Sequence, residues 1–186
     1  IVMVGKSFEE DLCERKFDVP FSYQPFTIAG IKGFLDVSVG ESVTYINAPY
    51  IAKDRNVVVE ETKTDQFDKF NDLILFIVKT DTEERSIAGT VFSDKLGRIV
   101  LLDRFHLDMI PEGTFLYFRI FDRPGIIGKV GTILGGNSIN ISGFGVARHV
   151  SGEEMAFLSV DNPIGTEVLD EIVKIDGMIE AKVIEL

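Results

Sequence analysis

Residues 122–143 read Asp122-Arg-Pro-Gly-Ile-Ile-Gly-Lys-Val-Gly-Thr-Ile-Leu-Gly-Gly-Asn-Ser-Ile-Asn-Ile-Ser-Gly143. The apolar run Thr114 to Phe121 before it has the length and aromatic content of a strand. Pro124 fixes its own φ and pushes Arg123 out of the helical region, so the chain turns there. Ile126, Ile127, Val130, Ile133 and Leu134 then fall on one face of a helix, which Gly135 and Gly136 stop. Asn137-Ser138 returns the chain into a strand at Ile139. This is a strand–turn–helix–turn–strand unit, and free N–H groups at its helix N-terminus favour an anionic ligand group.

Ile139–His149 and Met155–Val160 read as strands joined by the short connection at residues 150–153. Glu167–Ile175 reads as a helix, with Val168, Leu169, Ile172 and Val173 on its apolar face, and Met178–Ile184 as a last strand. The order is βαββαβ, the ferredoxin-like arrangement with two helices on one face of an antiparallel sheet. The second sheet face is expected to be uncovered, and so either solvated or met by a partner. Gly125, Gly128 and Gly131 recur every third residue, a spacing expected to bring the helix close to the sheet. It is not a nucleotide-binding glycine pattern.

Before this unit, Ile1–Val4 reads as a strand and Phe26–Val37 as a helix in which Gly30 and Gly33 permit a close approach. Asn47 is an expected N-cap, with Pro49 in the first turn, for a helix over 48–54. Strands are expected over 57–62, 73–79, 86–92 and 98–103, the second of them central and buried on both faces. The segment 105–113, with Pro111 and Gly113, reads as the domain boundary. The fold class is therefore α+β, with one domain over residues 1–112 and a second over 113–186.

At 186 residues and 45% hydrophobic, the chain can build real cores. Its net charge of −11 disfavours nucleic acid and anionic membrane surfaces as partners. The single cysteine, Cys13, allows no disulfide framework and fits a cytoplasmic location. No apolar run is long enough to cross a bilayer, and no signal peptide is visible. Beginning at Ile1 inside a strand, the sequence reads as a piece of a longer chain. No metal-ligand cluster, hydrolase elbow or other catalytic constellation is found. His106 and His149 lie in different units, and His149 is expected to be structural.

One constellation carries chemistry. Asp122, together with free backbone N–H groups of the turn, suits a small zwitterion: the carboxylate takes an ammonium group and the N–H groups a carboxylate. Asn140 is expected to flank the same turn. The βαββαβ order with Asp122-Arg-Pro-Gly and Ile139-Asn-Ile-Ser-Gly resembles an ACT domain, an amino-acid-binding regulatory module. Ala29-Gly-Ile-Lys-Gly-Phe-Leu, Val43-Thr-Tyr-Ile-Asn-Ala-Pro, Ala52-Lys-Asp-Arg-Asn and Ala88-Gly-Thr-Val-Phe resemble the intervening domain of long-form D-3-phosphoglycerate dehydrogenase.

The resemblance spans nearly the whole chain. It implies the non-catalytic C-terminal regulatory region of an NAD-dependent oxidoreductase of serine biosynthesis. The nucleotide-binding and substrate domains would be absent, so this chain would be inactive alone and hold no cofactor. L-serine, or another small amino acid, would bind between two ACT domains of a homodimer and inhibit the enzyme. Asp122, Arg123, Pro124, Gly125, Asn140 and Ile141 would form that site. Ile120 stands where the family often has a hydrogen-bonding residue. The resemblance also implies an anion site in the intervening domain for a phosphorylated ligand, at Arg98 and His106. Lys32, Lys53 and Arg55 are further cationic candidates. The alternatives are the regulatory part of an iron–sulfur L-serine dehydratase, and a dimerisation module without ligand.

Overall fold

The computed structural model describes residues 2–5, 24–40, 42–63, 70, 72–93 and 95–186. Residues 6–23, Cys13 among them, lie outside these. The chain divides into two compact units, Ile1–Lys95 and Leu96–Leu186.

In the first unit, β1 (Val2–Gly5) pairs parallel with β2 (Glu60–Lys63) and antiparallel with β3 (Ile74–Lys79), and β3 pairs antiparallel with β4 (Glu84–Val91). Parallel pairing of β1 and β2 requires a crossover, which contains α1 (Gln24–Val39) and α2 (Ala48–Asp54). The helices bury Ile31, Leu35, Val43, Ala48 and Ala52 against each other. Gly30 is needed for packing: a Cβ there would sit 2.3 Å from the Phe76 ring of β3. Asn47 occupies the N-cap position, but its side chain turns back into the preceding loop. It accepts the Thr44 N–H at 2.6 Å and donates to the Ser42 carbonyl, so it does not cap α2. In β3 only Leu75 is fully buried, so the expected burial of both faces is overstated.

The second unit contains β5 (Gly97–Leu102) and β6 (Phe105–Met109), an antiparallel hairpin, followed by β7 (Thr114–Phe121), α3 (Ile126–Gly136), β8 (Ile141–Arg148), β9 (Glu153–Val160), α4 (Thr166–Val173) and β10 (Met178–Glu185). The last six elements form the expected ferredoxin-like layer, with sheet order β10-β7-β9-β8. Alternation along β7 and β9 sends Leu116, Phe118, Ile120, Ala156, Leu158 and Val160 to one face. There they meet Ile126, Val130 and Leu134 of α3 and Ile172 of α4.

Three expectations are corrected here. The segment after Asp103 is not all linker, because Phe105–Met109 is a strand. The second sheet face is not left uncovered. Phe105, with Leu102, Leu107 and Met109, packs on Tyr117, Ala147, Met155 and Phe157. The apolar residues of β6 that look like an interdomain connection are the cover for that face. Gly128 and Gly131 do not bring α3 close to the sheet. Nothing lies within 4 Å of a Cβ built on either, because the sheet-facing positions are Ile126, Val130 and Leu134. His149 is structural, as expected: its Nδ1 accepts the Ser151 N–H at 3.2 Å, and its ring stands edge-on to Phe105.

Candidate functional site

The turn after β7 is positioned by two backbone hydrogen bonds. Phe121 N–H donates to the Gly177 carbonyl at 3.0 Å, and Asp122 N–H donates to the Gly152 carbonyl at 2.9 Å. The chain then rises into α3 through Gly125. At φ +92° Gly125 holds a backbone conformation that a side chain would strain. No side chain caps α3, so the N–H groups of its first turn have no side-chain partner.

Asp122 belongs to a small charged cluster. Its carboxylate lies 3.4 Å from Arg148 Nε at the end of β8, and the same Nε lies 3.6 Å from Glu154 Oε2 on β9. Glu154 is only 2% exposed. Burial raises the proton affinity of its carboxyl, a hydrogen bond and charge repulsion from Asp122 raise it further, and Arg148 opposes both. Arg123 points elsewhere: its guanidinium sits over the Phe121 ring and 3.7 Å from Asp176. Pro124 and Gly125 are exposed at the turn. Ile120 is fully buried on the helix face and offers the turn no polar group.

Asn140 does not flank this turn within one chain. Ile141 is level with Val160, which is level with Thr114, whereas Phe121 is level with Glu153. Strands β7 and β8 both run antiparallel to β9, so they are parallel to each other and start at the same end. Asn140 and Ile141 therefore lie at the opposite end of the sheet from Asp122, eight to nine residue steps or about 26–30 Å away along the strands at ~3.3 Å per residue. Asn140 donates its amide N–H to the Asp161 carboxylate and accepts the Asp161 N–H on its own carbonyl.

Arg148 and Glu154 are the site residues that motif reading misses. One signal was available. Glu154, Ala156, Leu158 and Val160 form the inward column of β9, and an acid in that column breaks the alternation.

The anion candidates sit on separate elements. Arg98 of β5 is mostly buried, and its Nε lies 3.2 Å from Asp108. His106 is exposed on β6, two residues from that same aspartate. Lys32 of α1 pairs with Asp36 and sits over the Tyr45 ring. Lys53 lies exposed on α2, beside an open cleft lined by Ile31, Asn56 and Val58. Arg55 is the exposed C-cap of that helix. Among the described residues, no cluster of His, Cys, Asp and Glu could hold a metal ion, and no helix is long and apolar enough to cross a membrane.

The second unit is thus a ferredoxin-like α+β layer with a charged turn at one end of its sheet, preceded by a separate α+β unit. Comparison with known proteins identifies the family. Residues 20–103 match the D-3-phosphoglycerate dehydrogenase intervening domain. Over 163 residues the chain is 33% identical to D-3-phosphoglycerate dehydrogenase of Archaeoglobus fulgidus, covering 86% of this chain and 31% of the relative. It is 34% identical over 164 residues to the enzyme of Synechocystis sp., covering 88% and 30%. It is 30% identical over 161 residues to that of Bacillus subtilis, covering 86% and 31%. The chain thus spans about a third of the length of these relatives, at their C-terminal end. Residues 20–103 belong to the intervening-domain family of D-3-phosphoglycerate dehydrogenase, and the chain as a whole is similar to the C-terminal region of that enzyme.

Proposed function

We propose that this chain is the regulatory region of an NAD-dependent D-3-phosphoglycerate dehydrogenase of serine biosynthesis, acting in the cytoplasm. In this reading residues 113–186 are an ACT domain that binds a small amino acid, L-serine by family resemblance, between two copies. Residues 1–112 are an intervening domain that takes a phosphorylated ligand, with Arg98 and His106 as the candidate cations. NAD and catalysis belong to domains outside this sequence.

The observation that carries the reading is the separation of Asp122 from Asn140, combined with the place of β8 at the sheet edge. An unpaired edge is a template for another strand. Two β8 edges paired antiparallel about Phe144 and Gly145 would set Ile141 of one copy opposite Arg148 of the other. Asn140 of the second copy would then reach the Asp122 end of the first. Phe144 and Val146, both well exposed on β8, would be covered in the same pairing. A ligand bridging the two copies favours the docked arrangement, and linkage passes that preference to the catalytic domains.

A second reading is favoured by one feature of the single chain. Asp122 is already held by Arg148, and Asn140 by Asp161. A dimerisation module that takes no ligand would look the same.

Calorimetry of the 186-residue chain against a panel of amino acids, run with sedimentation analysis, separates the two. Serine binding at millimolar affinity or tighter, lost in both Asp122→Ala and Asn140→Ala, supports the regulatory reading. A dimer silent across the whole panel sinks it.

A further inference from the structure

Glu154 is the most deeply buried ionisable side chain among the described residues, and it lies beside the candidate ligand site. Its neighbours account for its position. On β7 it is level with Ile120, and on β8 with Arg148. The helix layer presents Ile126, Val130 and Leu134 to the same core, none of them polar. The charged groups acting on Glu154 are therefore two: Asp122 from the turn after β7, and Arg148 from β8. Arg123 faces Asp176 and Phe121 instead. Glu154 Oε1 is enclosed and accepts no hydrogen bond from any described residue.

An enclosed carboxylate with one lopsided cation and a second carboxylate beside it is a poor arrangement for two negative charges. One Arg148, 72% exposed, cannot neutralise both acids in a solvent-screened position. A cation brought to Asp122 changes the balance. An alkylammonium group placed there supplies the second positive charge that the pair lacks.

We propose that Glu154 is a proton-exchanging positioning residue of the amino-acid site: it holds a proton, donated to Asp122, while the site is empty, and releases it when a ligand ammonium settles against Asp122. This rests on the amino-acid-binding reading above. The step balances. The Glu154 O–H bond breaks, the proton passes to the buffer, and the new carboxylate is held by Arg148 and the ligand ammonium. No other bond changes. The direction in which burial and Asp122 move the Glu154 carboxyl agrees with a protonated resting state.

Linkage fixes the sign. Ligand binding favours ionised Glu154, so its carboxyl titrates higher in the empty site than in the occupied one. Affinity then rises with pH, by up to tenfold per pH unit, between those two values, and is flat outside them. The ligand's own carboxylate and ammonium do not titrate between about pH 5 and pH 8, so they do not contribute a slope there.

The test is calorimetry of the 186-residue chain with L-serine at several pH values between about 5 and 8. Each titration is repeated in phosphate and in imidazole buffer, whose ionisation enthalpies differ. The expected result is a binding enthalpy that depends on buffer, showing proton release, together with affinity that climbs with pH. In Glu154→Gln, whose amide cannot ionise, both dependences vanish. Serine binding without buffer dependence in the native chain overturns the proposal while leaving the amino-acid site standing. Retention of the buffer dependence in Glu154→Gln does the same. Absence of binding by serine and by every other amino acid tried overturns both.

Discussion

The hairpin β5–β6 should be as much a part of the ferredoxin-like unit as its own strands, and Phe105→Ala measures this. Phe105 is 1% exposed and touches the buried face made by Tyr117, Ala147, Met155 and Phe157. Removing a buried phenyl group costs its transfer free energy plus the cavity it leaves, about 3–5 kcal/mol for Phe→Ala in a core. Two further contacts are lost with it: the edge-on packing of His149 at 5.8 Å and the stacking of Arg104 at 5.5 Å. Each is worth about 0.5–1.5 kcal/mol where desolvated and less here, because Arg104 is half-exposed. The expectation is therefore a loss near the upper half of that range, a large share of the ~5–15 kcal/mol that holds a typical domain. Urea unfolding followed by tyrosine fluorescence reads it, since Tyr117 lies in the affected cluster. A piece beginning at Gly113 should lose more, because it also lacks Leu102, Leu107 and Met109. It should form aggregates that a piece beginning at Leu96 does not. A Phe105→Ala chain within about 1 kcal/mol of native stability would refute the account and return the second sheet face to solvent.

Other outcomes follow from the same contacts. Gly30→Ala places a Cβ 2.3 Å from the Phe76 ring, so α1 or the ring must move; the expected loss is about 1–3 kcal/mol, read as a lower thermal midpoint. Glu153 is held below its ordinary value of 4.5, first by the Arg104 hydrogen bond and then, against some burial, by Arg119. A depressed carboxyl stabilises the fold above its unfolded value and loses that contribution as pH falls through its folded value. Glu153→Gln should therefore destabilise the chain at neutral pH and flatten the acid limb of unfolding below about pH 4.5. Glu154 is shifted the other way, first by burial and then by Asp122, so its ionisation costs stability as pH rises through its folded value. The stability of Glu154→Gln relative to the native chain should accordingly improve from pH 4 toward pH 8, about the reverse of the Glu153 variant, in paired urea titrations.

Much of the fold is legible in the residues. The apolar stripe of α3 and the alternation of β7 and β9 each specify an element whose buried face is visible from its own spacing. Helix α2 over 48–54 appears where a Pro in the first turn allows it, although Asn47 turns its side chain away from the cap. The α3 glycines show the limit of such reading. Their spacing resembles a packing stripe, yet the packing surface is set by the larger residues between them, and the glycines face outward. Strand β6 was hidden for a related reason. Phe105, Leu107 and Met109 alternate with His106 and Asp108, but Pro111 and Gly113 close by carry a stronger boundary signal than five residues of alternation.

The site divides along the same line. The turn at Asp122-Arg-Pro-Gly, the helix N-terminus it opens and the order βαββαβ can be read from local residues alone, because each depends on positions within a short stretch. What stands beside Asp122 depends on the folded sheet. Sheet order and strand direction are long-range properties, and they carry Asn140 about 30 Å away by the register of β7, β8 and β9. In its place they bring Arg148 and the buried Glu154, from 26 and 32 residues further along the chain, to the carboxylate. No spacing rule encodes that meeting, because it arises where three strands end side by side.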